Sequence, residues 1–392
     1  MSGLIVKPRA RIFHGHEWVY AAEVQKIFGD PAPGSVVSLK DFKDRPLGSA
    51  IYNPQSQIVA RRFSRHRETL EGDFFVRRLQ RAWKRREGMA GLDPALCRVV
   101  WSESDGLPGV VIDRYGPHFV LQTLTLAMDQ RKALIAQAIV EVFGAESVIE
   151  RNDSAIRIAE GLEQVTGVLH GAAPAPFRVT TSTGTFLVDL IGGQKTGIYL
   201  DQLDNYRDAG TRAAGKRVLD CFCNQGGFAL ACAMAGAARV TAVDVSESAI
   251  ATARENAAVM GLTDKIEFVT ANVFDFLKTQ EAAGITYDYI ILDPPSFTRN
   301  KKSVPDALRG YKEIHLRSLK MLPHNGLVST YCCSHHVSTG EFRAIVLEAA
   351  VDAKKTLCQL AFHQQRLDHP ILSTVPETEY LRGYTFELLA AF

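Results

Sequence analysis

The sequence predicts an α/β protein in which a doubly wound parallel sheet is preceded by a small β-barrel and a compact α+β piece. Three observations predict it. From about residue 180 onward, strand-like and helix-like stretches alternate at the length of β-α units, which builds a parallel sheet with helices on both faces. Residues 1 to about 68 instead show short β segments broken by turn residues, and the stretch between the two mixes strands with one helix. A chain of 392 residues also exceeds what one hydrophobic core ordinarily serves, so two or three domains are expected.

In the N-terminal part, "EWVYAAEV", "GSVVSLKD", "PLGSAIYN" and "SQIVARRF" read as strands, with Gly34, Gly48 and the Asn53-Pro54 pair between them. From Asp73 to about Gly88 the period becomes helical. Phe75, Leu79 and Trp83 share one apolar face there, while Arg77, Arg78, Arg81, Lys84 and Arg85 cover much of the rest. "CRVVWSES", "GVVIDRYG", "HFVLQTLT" and "SVIERND" read as strands and "QRKALIAQAIVEVF" as a helix, without an evident chemical motif. "HGAAPAPFRV" reads as a linker or an entry strand. Strand "KRVLDCF" then leads to helix "GFALACAMAGA", "RVTAVDVS" to "SAIATARENAAVMG", and "KIEFVTA", "YDYIILDPPS" and "GLVSTYCCS" supply further strands, with helix "ALRGYKEIHLRSLKML" before the last. The expected domains are 1–70, a β-barrel; 71–175, a basic connector helix and small central α+β domain; and 176–392, the α/β domain.

Seven cysteines without C-x-x-C pairs or a regular framework fit free thiols in a reducing compartment. The first twenty residues lack the apolar core of a secretion signal, and no apolar run reaches the roughly 18 residues needed to span a bilayer. A cytoplasmic protein without membrane contact is expected. Net charge is only +2, yet its distribution is uneven. Residues 1 to 90 hold 17 Lys and Arg against 9 Asp and Glu, and the rest of the chain holds 28 against 34. An N-terminal third of this sign is suited to a polyanion.

The turn "CFCNQGGF" follows strand "RVLD", and its small residues let a ligand approach the backbone at a helix N-terminus. It is not G-x-G-x-x-G, which argues against a dinucleotide. Asp220 ends the first strand and Asp244 the second, where a carboxylate can accept both hydroxyls of a ribose. Two strand-end acids around a glycine turn describe an S-adenosylmethionine pocket; the plainer alternative is that both acids only cap strand ends. Asn272, at the end of the third strand, is expected near the adenine.

Strand four ends in "DPPSF", whose prolines stiffen the turn and hold Asp293 at the strand mouth. The next strand ends in "TYCCS". Carbon 5 of cytosine is a poor nucleophile until a thiolate adds to carbon 6, and a cysteine at the end of a neighbouring strand is what that reaction needs. Alternation sends Cys332 and Cys333 to opposite sides, so one of them faces the pocket. Free cysteines are commonly buried residues, which is the structural alternative for both. No metal-ligand spacing joins them to His335 and His336.

Together "GIYLDQLDNYR", "VLDCFCNQGGF", "VDVSESAIATARENA", "DPPSF" and "TYCCS", with the N-terminal "RARIFHGHEWVY" and "PLGSAIYNPQSQIVARRF", resemble the RlmI-like family of 23S ribosomal RNA (cytosine-C5) methyltransferases. The resemblance covers nearly the whole chain. It implies an N-terminal PUA domain, a small central α+β domain and a class I, Rossmann-like methyltransferase domain. It implies further that Cys333 is the nucleophile, preferred over Cys332 because of the Cys-Ser pair, and that Asp293 reads the cytosine edge. Phe222, Asn224, Gly226, Gly227, Asp244 and Asn272 would line the S-adenosylmethionine site beside Asp220, with Asp201 and Gln202 bordering it. Three departures stand out. Asn272 replaces a common aspartate, Ser296 stands where many RNA cytosine-C5 methyltransferases outside this family carry a second cysteine, and the base that removes the carbon 5 proton is unassigned.

Two rivals remain at this point. An exocyclic-amine methyltransferase acting on guanine or adenine needs no covalent step but usually has an aromatic ring directly after the second proline; here Ser296 intervenes and Phe297 comes one place late. A non-catalytic RNA-binding assembly factor would use the same basic N-terminal third. The expected partner is a single-stranded or opened segment of 23S ribosomal RNA, because a base must leave its stack to meet a thiol in a cleft. A homodimer is left open.

Overall fold

A computed structural model describes residues 2–193, 197–298 and 300–390. Two compact units divide the chain: Met1–Phe177 with Val188–Leu200 and Leu367–Thr378, and Arg178–Leu187 with Asp201–Arg366 and Glu379–Phe392.

The first unit holds two sheets. Strands β1 (Gly3–Val6), β2 (Trp18–Val19), β3 (Val24–Phe28), β4 (Val36–Lys40), β5 (Pro46–Tyr52) and β6 (Ala60–Ser64) form one sheet in the order β2-β6-β5-β4-β1-β3. All its pairings are antiparallel except β1 with β4. Alternating apolar residues fill its core, with Leu4, Val6, Val37, Leu39 and Ala50 buried. Helix α1 (Gly72–Glu87) carries the predicted periodicity. Phe74, Phe75, Leu79 and Ala82 are its buried face, while Trp83 lies at the margin, edge-on to Phe143 at 5.7 Å. Strands β7 (Leu96–Trp101), β8 (Val110–Tyr115) and β9 (His118–Thr123), helices α2 (Leu126–Asp129) and α3 (Lys132–Phe143), and strands β10 (Ser147–Asn152) and β11 (Val165–His170) complete this unit's core, with sheet order β11-β10-β9-β8-β7.

A hairpin of β12 (Phe177–Thr181) and β13 (Gly184–Val188) follows the proline-containing stretch. The second unit continues with α4 (Leu203–Thr211), β14 (Arg217–Cys221), α5 (Gly227–Met234), β15 (Arg239–Asp244), α6 (Glu247–Val259), β16 (Ile266–Thr270), α7 (Val273–Ala282), β17 (Tyr289–Leu292), α8 (Val304–Met321), β18 (Leu327–Cys332), α9 (Thr339–Asp352), β19 (Thr356–Gln364) and β20 (Arg382–Leu389). The sheet order is β16-β15-β14-β17-β18-β20-β19. Five strands are parallel, as the β-α alternation predicts, whereas β20 runs antiparallel to both β18 and β19. That last pair was not foreseen, since its residues carry no β-α signature. Helix α7 was also missed: its short "NVFDF" start reads as a strand end until Asn272 is seen to cap it. Helix α8 begins before the predicted "ALRG" because Pro305 sits in its first turn, where a missing N–H costs nothing.

Candidate active site

Register places the candidate residues along one edge of the seven-stranded sheet. Cys221 of β14 lies level with Val243 of β15 and with Leu292 of β17, and Leu292 lies level with Thr330 of β18. Phe222, Asp244 and Asp293 are therefore each one residue further toward the carboxyl edge, and Cys333 follows the last residue of β18. Ligands of such sheets bind outside this edge.

The turn after β14 is made of left-handed residues. Phe222, Asn224 and Gly226 have φ of 65°, 47° and 86°. Backbone of this kind is uncommon for non-glycine residues and concentrates at functional turns. Asp244 holds the turn in place: one carboxylate oxygen accepts the Asn224 N–H at 2.9 Å and the other accepts the Ser246 N–H at 2.9 Å. Gly227 opens α5 and admits no side chain, because a Cβ there would lie 2.3 Å from the ring of Tyr206.

Asp220 is fully buried. One of its oxygens accepts the Ala229 N–H of α5 at 2.9 Å, and its other oxygen, Oδ1, has no hydrogen-bond partner. Burial pushes its carboxyl well above the usual carboxylate range, against the pull of the Ala229 hydrogen bond, and the charges of Asp293 and Asp244 push it further. An orphaned acceptor within a group of three acids fits a ligand carrying positive charge. S-adenosylmethionine has two such centres, its sulfonium and its ammonium. Asn272 is exposed, and its side-chain oxygen accepts the Phe274 N–H at 2.9 Å as the cap of α7.

Asp201 and Gln202, expected at the border of the cofactor site, are each held by a neighbouring side chain. The Asp201 carboxylate accepts the Tyr380 hydroxyl at 2.7 Å. Gln202 reaches Asp293: its amide nitrogen donates to Asp293 Oδ2 at 3.0 Å while its amide oxygen accepts from Asn205 Nδ2 at 2.6 Å. Because Asn205 can only donate through that nitrogen, the Gln202 amide has one orientation, with its donor end on the carboxylate.

The two adjacent thiols part at the end of β18. Cys332 is fully buried in the core between the sheet and helices α8 and α9, whereas Cys333 is half-buried and directs its thiol at the Pro294 carbonyl, 3.9 Å away. Burial pushes the thiols of Cys221, Cys223 and Cys232 well up, and that of Cys97 to about 12, so those four stay protonated and inert. None of the seven cysteines, all of them described, is in a disulfide. Among the described residues no cluster of three or more metal-ligating side chains is assembled.

A chain of hydroxyls joins the turn carrying Asp293 to the loop carrying Cys333. Ser296 Oγ lies 2.9 Å from the Thr298 carbonyl and 3.0 Å from Ser334 Oγ, which lies 3.0 Å from the Tyr311 hydroxyl. A carbonyl only accepts, so Ser296 donates to Thr298, Ser334 donates to Ser296 and Tyr311 donates to Ser334. Burial raises the Tyr311 phenol and keeps its proton in place. Sequence reading had no signal for Tyr311, which looks like one more apolar-face residue of α8. Phe297 packs into an aromatic cluster, its ring centroid 6.3 Å from Phe222, 5.8 Å from Phe274 and 4.7 Å from Tyr311. His335 and His336 are exposed, with the His335 ring 6.0 Å from that of Tyr380.

Comparison with known proteins agrees with this architecture. Residues 4–65 match the model of a PUA-like domain, and residues 161–370 match that of an S-adenosylmethionine-dependent methyltransferase. The ribosomal RNA large subunit methyltransferase I of Photobacterium profundum is 40% identical over 374 residues, covering 94% of each chain. That of Klebsiella pneumoniae is 38% identical over 380 residues, covering 95% of this chain and 94% of its own. The crystal structure of SMU.776, described as a candidate methyltransferase and complexed with SAH, superposes with a TM-score of 0.85 at 26% identity over 99% of this chain and 100% of its own.

Proposed function

The chain belongs to the S-adenosylmethionine-dependent methyltransferase family, and from that premise we propose that it methylates carbon 5 of a cytosine in 23S ribosomal RNA through a covalent adduct on Cys333. The observation that carries the proposal is the half-buried Cys333 thiol at the sheet edge, directed at the carbonyl of the residue after Asp293, while its neighbour Cys332 is sealed in the core. The relatives named as large-subunit ribosomal RNA methyltransferases and the PUA-like match support RNA as the substrate. An unpaired or opened segment is required, because the base must be presented to a thiol inside a cleft. Ribosomal RNA as substrate implies work in the cytoplasm; no described helix is long and apolar enough to cross a membrane. Residues 1–70 and 71–175 would hold the RNA and residues 176–392 perform the chemistry.

In this proposal Phe222, Asn224, Gly226, Gly227, Asp244 and Asn272 line the cofactor site, and the orphaned oxygen of Asp220 faces its positive charge. When bound, S-adenosylmethionine supplies an electrophilic methyl group. Asp293 accepts a hydrogen bond from the cytosine edge and holds the ring over Cys333. The Cys333 thiolate bonds to carbon 6, and the displaced π electrons make carbon 5 nucleophilic toward the methyl carbon. After methylation a base removes the carbon 5 proton, the electrons restore the 5,6 double bond and the Cys333 sulfur leaves as thiolate. Ser296 and Ser334 are committed to the hydroxyl chain, which keeps the two loops together and keeps the donor hydrogens away from the ring.

The test is a pair of variants on unmodified 23S ribosomal RNA with radiolabelled S-adenosylmethionine. Cys333→Ala is expected to abolish transfer with cofactor affinity unchanged, and Cys332→Ala to retain transfer while losing about 1 kcal/mol of stability. Full activity in Cys333→Ala would remove the covalent route and point to an exocyclic amine.

A further inference from the structure

We propose that the groove between β6 and α1 in the first unit is a track for RNA phosphates, built largely from arginines that lie beyond the PUA-like match to residues 4–65. The proposal rests on the RNA substrate proposed above and names the surface that grips it. The groove encloses about 640 Å³. One wall is the end of β6 and the loop after it, with Arg65 and His66; the other is α1, with Arg77, Arg81 and Arg85.

Charge in the groove is less balanced than its composition implies. Four acids line it, and each is taken by a well-placed arginine. Glu17 holds Arg62 at 2.6 Å, and Glu68 lies between Arg77 at 3.2 Å and Arg78 at 3.5 Å. Glu103 is paired with Arg61 at 3.0 Å, and Asp105 with the fully buried Arg86 at 2.8 Å; neither of those arginines lines the groove. Counted with Arg61 and Arg86 behind the groove, eight arginines meet four acids, and Arg65, Arg77, Arg81 and Arg85 are the ones with exposed side chains. Arg65, Arg77 and Arg85 have side chains 70%, 61% and 40% exposed, and Arg81 has no ion-pair partner among the described residues. The Arg65–Glu17 and Arg77–Glu68 pairs, at 3.8 and 3.2 Å, are partly exposed pairs of little worth, free to exchange for a phosphate, whereas Arg85 is anchored on the buried Asp105 at 3.1 Å.

Spacing favours a nucleic acid over a protein. Arg77, Arg81 and Arg85 recur every four residues, so their Cα atoms advance about 6 Å per step along one face of α1. That step is comparable to the distance between successive phosphates of one strand. Guanidinium forks suit phosphate oxygens. Among the lining Phe63 and Ala82 are buried and Leu372 is half-buried, so the groove presents no large aromatic anchor of the kind that carries protein interfaces, and the exposed ring in its wall is the His66 imidazole. Contacts here read the backbone and not the base, so the track positions RNA without choosing its sequence.

The experiment measures binding of a short unmodified RNA to the full-length protein across a salt series, with S-adenosylhomocysteine present and no turnover. Arg77→Gln with Arg81→Gln is expected to weaken binding at least tenfold and to lower the slope of log affinity against log salt by about 1.4, at roughly 0.7 for each phosphate no longer neutralised. Arg77→Lys with Arg81→Lys should restore most of the slope, and all variants should bind S-adenosylhomocysteine as the parent does. Arg207→Gln with Arg239→Gln, which removes two exposed arginines of the second unit, should change neither quantity. An unchanged slope in the groove variant, an equal loss in the control, or polyglutamate binding the groove as tightly as RNA would each overturn the proposal. Failure of the cytosine chemistry would leave this result untouched, since the readout involves no methyl transfer.

Discussion

Asp293 illustrates how much of a carboxylate's presentation is set by the side chain behind it. Its Oδ2 accepts from Gln202, whose amide is itself oriented by Asn205, and Asn205 also reaches the Gln364 carbonyl at 3.3 Å. A carboxylate fixed in this way holds its Oδ2 toward Gln202. A hydrogen bond to a charged group contributes about 1.5–3 kcal/mol, so Gln202→Leu is expected to slow methyl transfer roughly 10- to 100-fold. Cofactor affinity should stay unchanged, which calorimetry with S-adenosylhomocysteine checks. A variant that lost cofactor affinity and kept its turnover rate would assign Gln202 to the cofactor and not to Asp293.

Helix α7 separates two uses of a single asparagine. The Asn272 side chain caps the helix, and the same position was expected to lie near the adenine. Replacing a capping asparagine by alanine costs about 1 kcal/mol, and aspartate caps as well as asparagine does. Asn272→Ala should therefore lower stability by about that amount, and Asn272→Asp should leave it unchanged. If the cap is the residue's whole contribution, S-adenosylhomocysteine affinity will be the same in all three proteins; a selective loss in Asn272→Ala identifies a ligand contact. At the start of α5 the constraint is steric instead: Tyr206 of α4 closes over Gly227, so the turn and two helices are packed as one piece around the candidate cofactor site.

Across the second unit, a buried histidine ties helix α8 to the strand that ends in the two cysteines. His315 Nδ1 lies 2.5 Å from the Tyr311 carbonyl, so it carries the proton and donates, and Nε2 accepts the Thr330 hydroxyl of β18 at 2.8 Å. Burial lowers its pKa to about 4, against the upward pull of the Tyr311 carbonyl. The unfolded chain, near 6.5, binds the proton more readily than the folded one. Stability from the neutral imidazole is therefore complete above about pH 6.5 and lost as pH falls through about 4, a total of up to about 3 kcal/mol. Urea midpoints between pH 7.5 and 4.5 should fall less steeply for His315→Gln than for the parent. The other titrating groups are common to both proteins, and equal slopes would refute the assignment.

Sequence alone determined the periodic parts of this protein. The β-α alternation gives five parallel strands, the turn after β14 and the D-P-P turn announce themselves by residue type, and the arginine face of α1 is legible from its spacing, because all of these are encoded in residues a few positions apart. Cys332 and Cys333 mark the boundary of that kind of inference. Alternation says that they face opposite ways, yet which one is sealed depends on where α8 and α9 pack, and only the folded unit decides it. The Gln202–Asp293 bond spans 91 residues and the Tyr311–Ser334–Ser296 chain joins a helix to two loops. Such partners are chosen by strand register and helix packing, which no local pattern records, so the sequence supplied the candidate groups while the tertiary structure decided which of them meet.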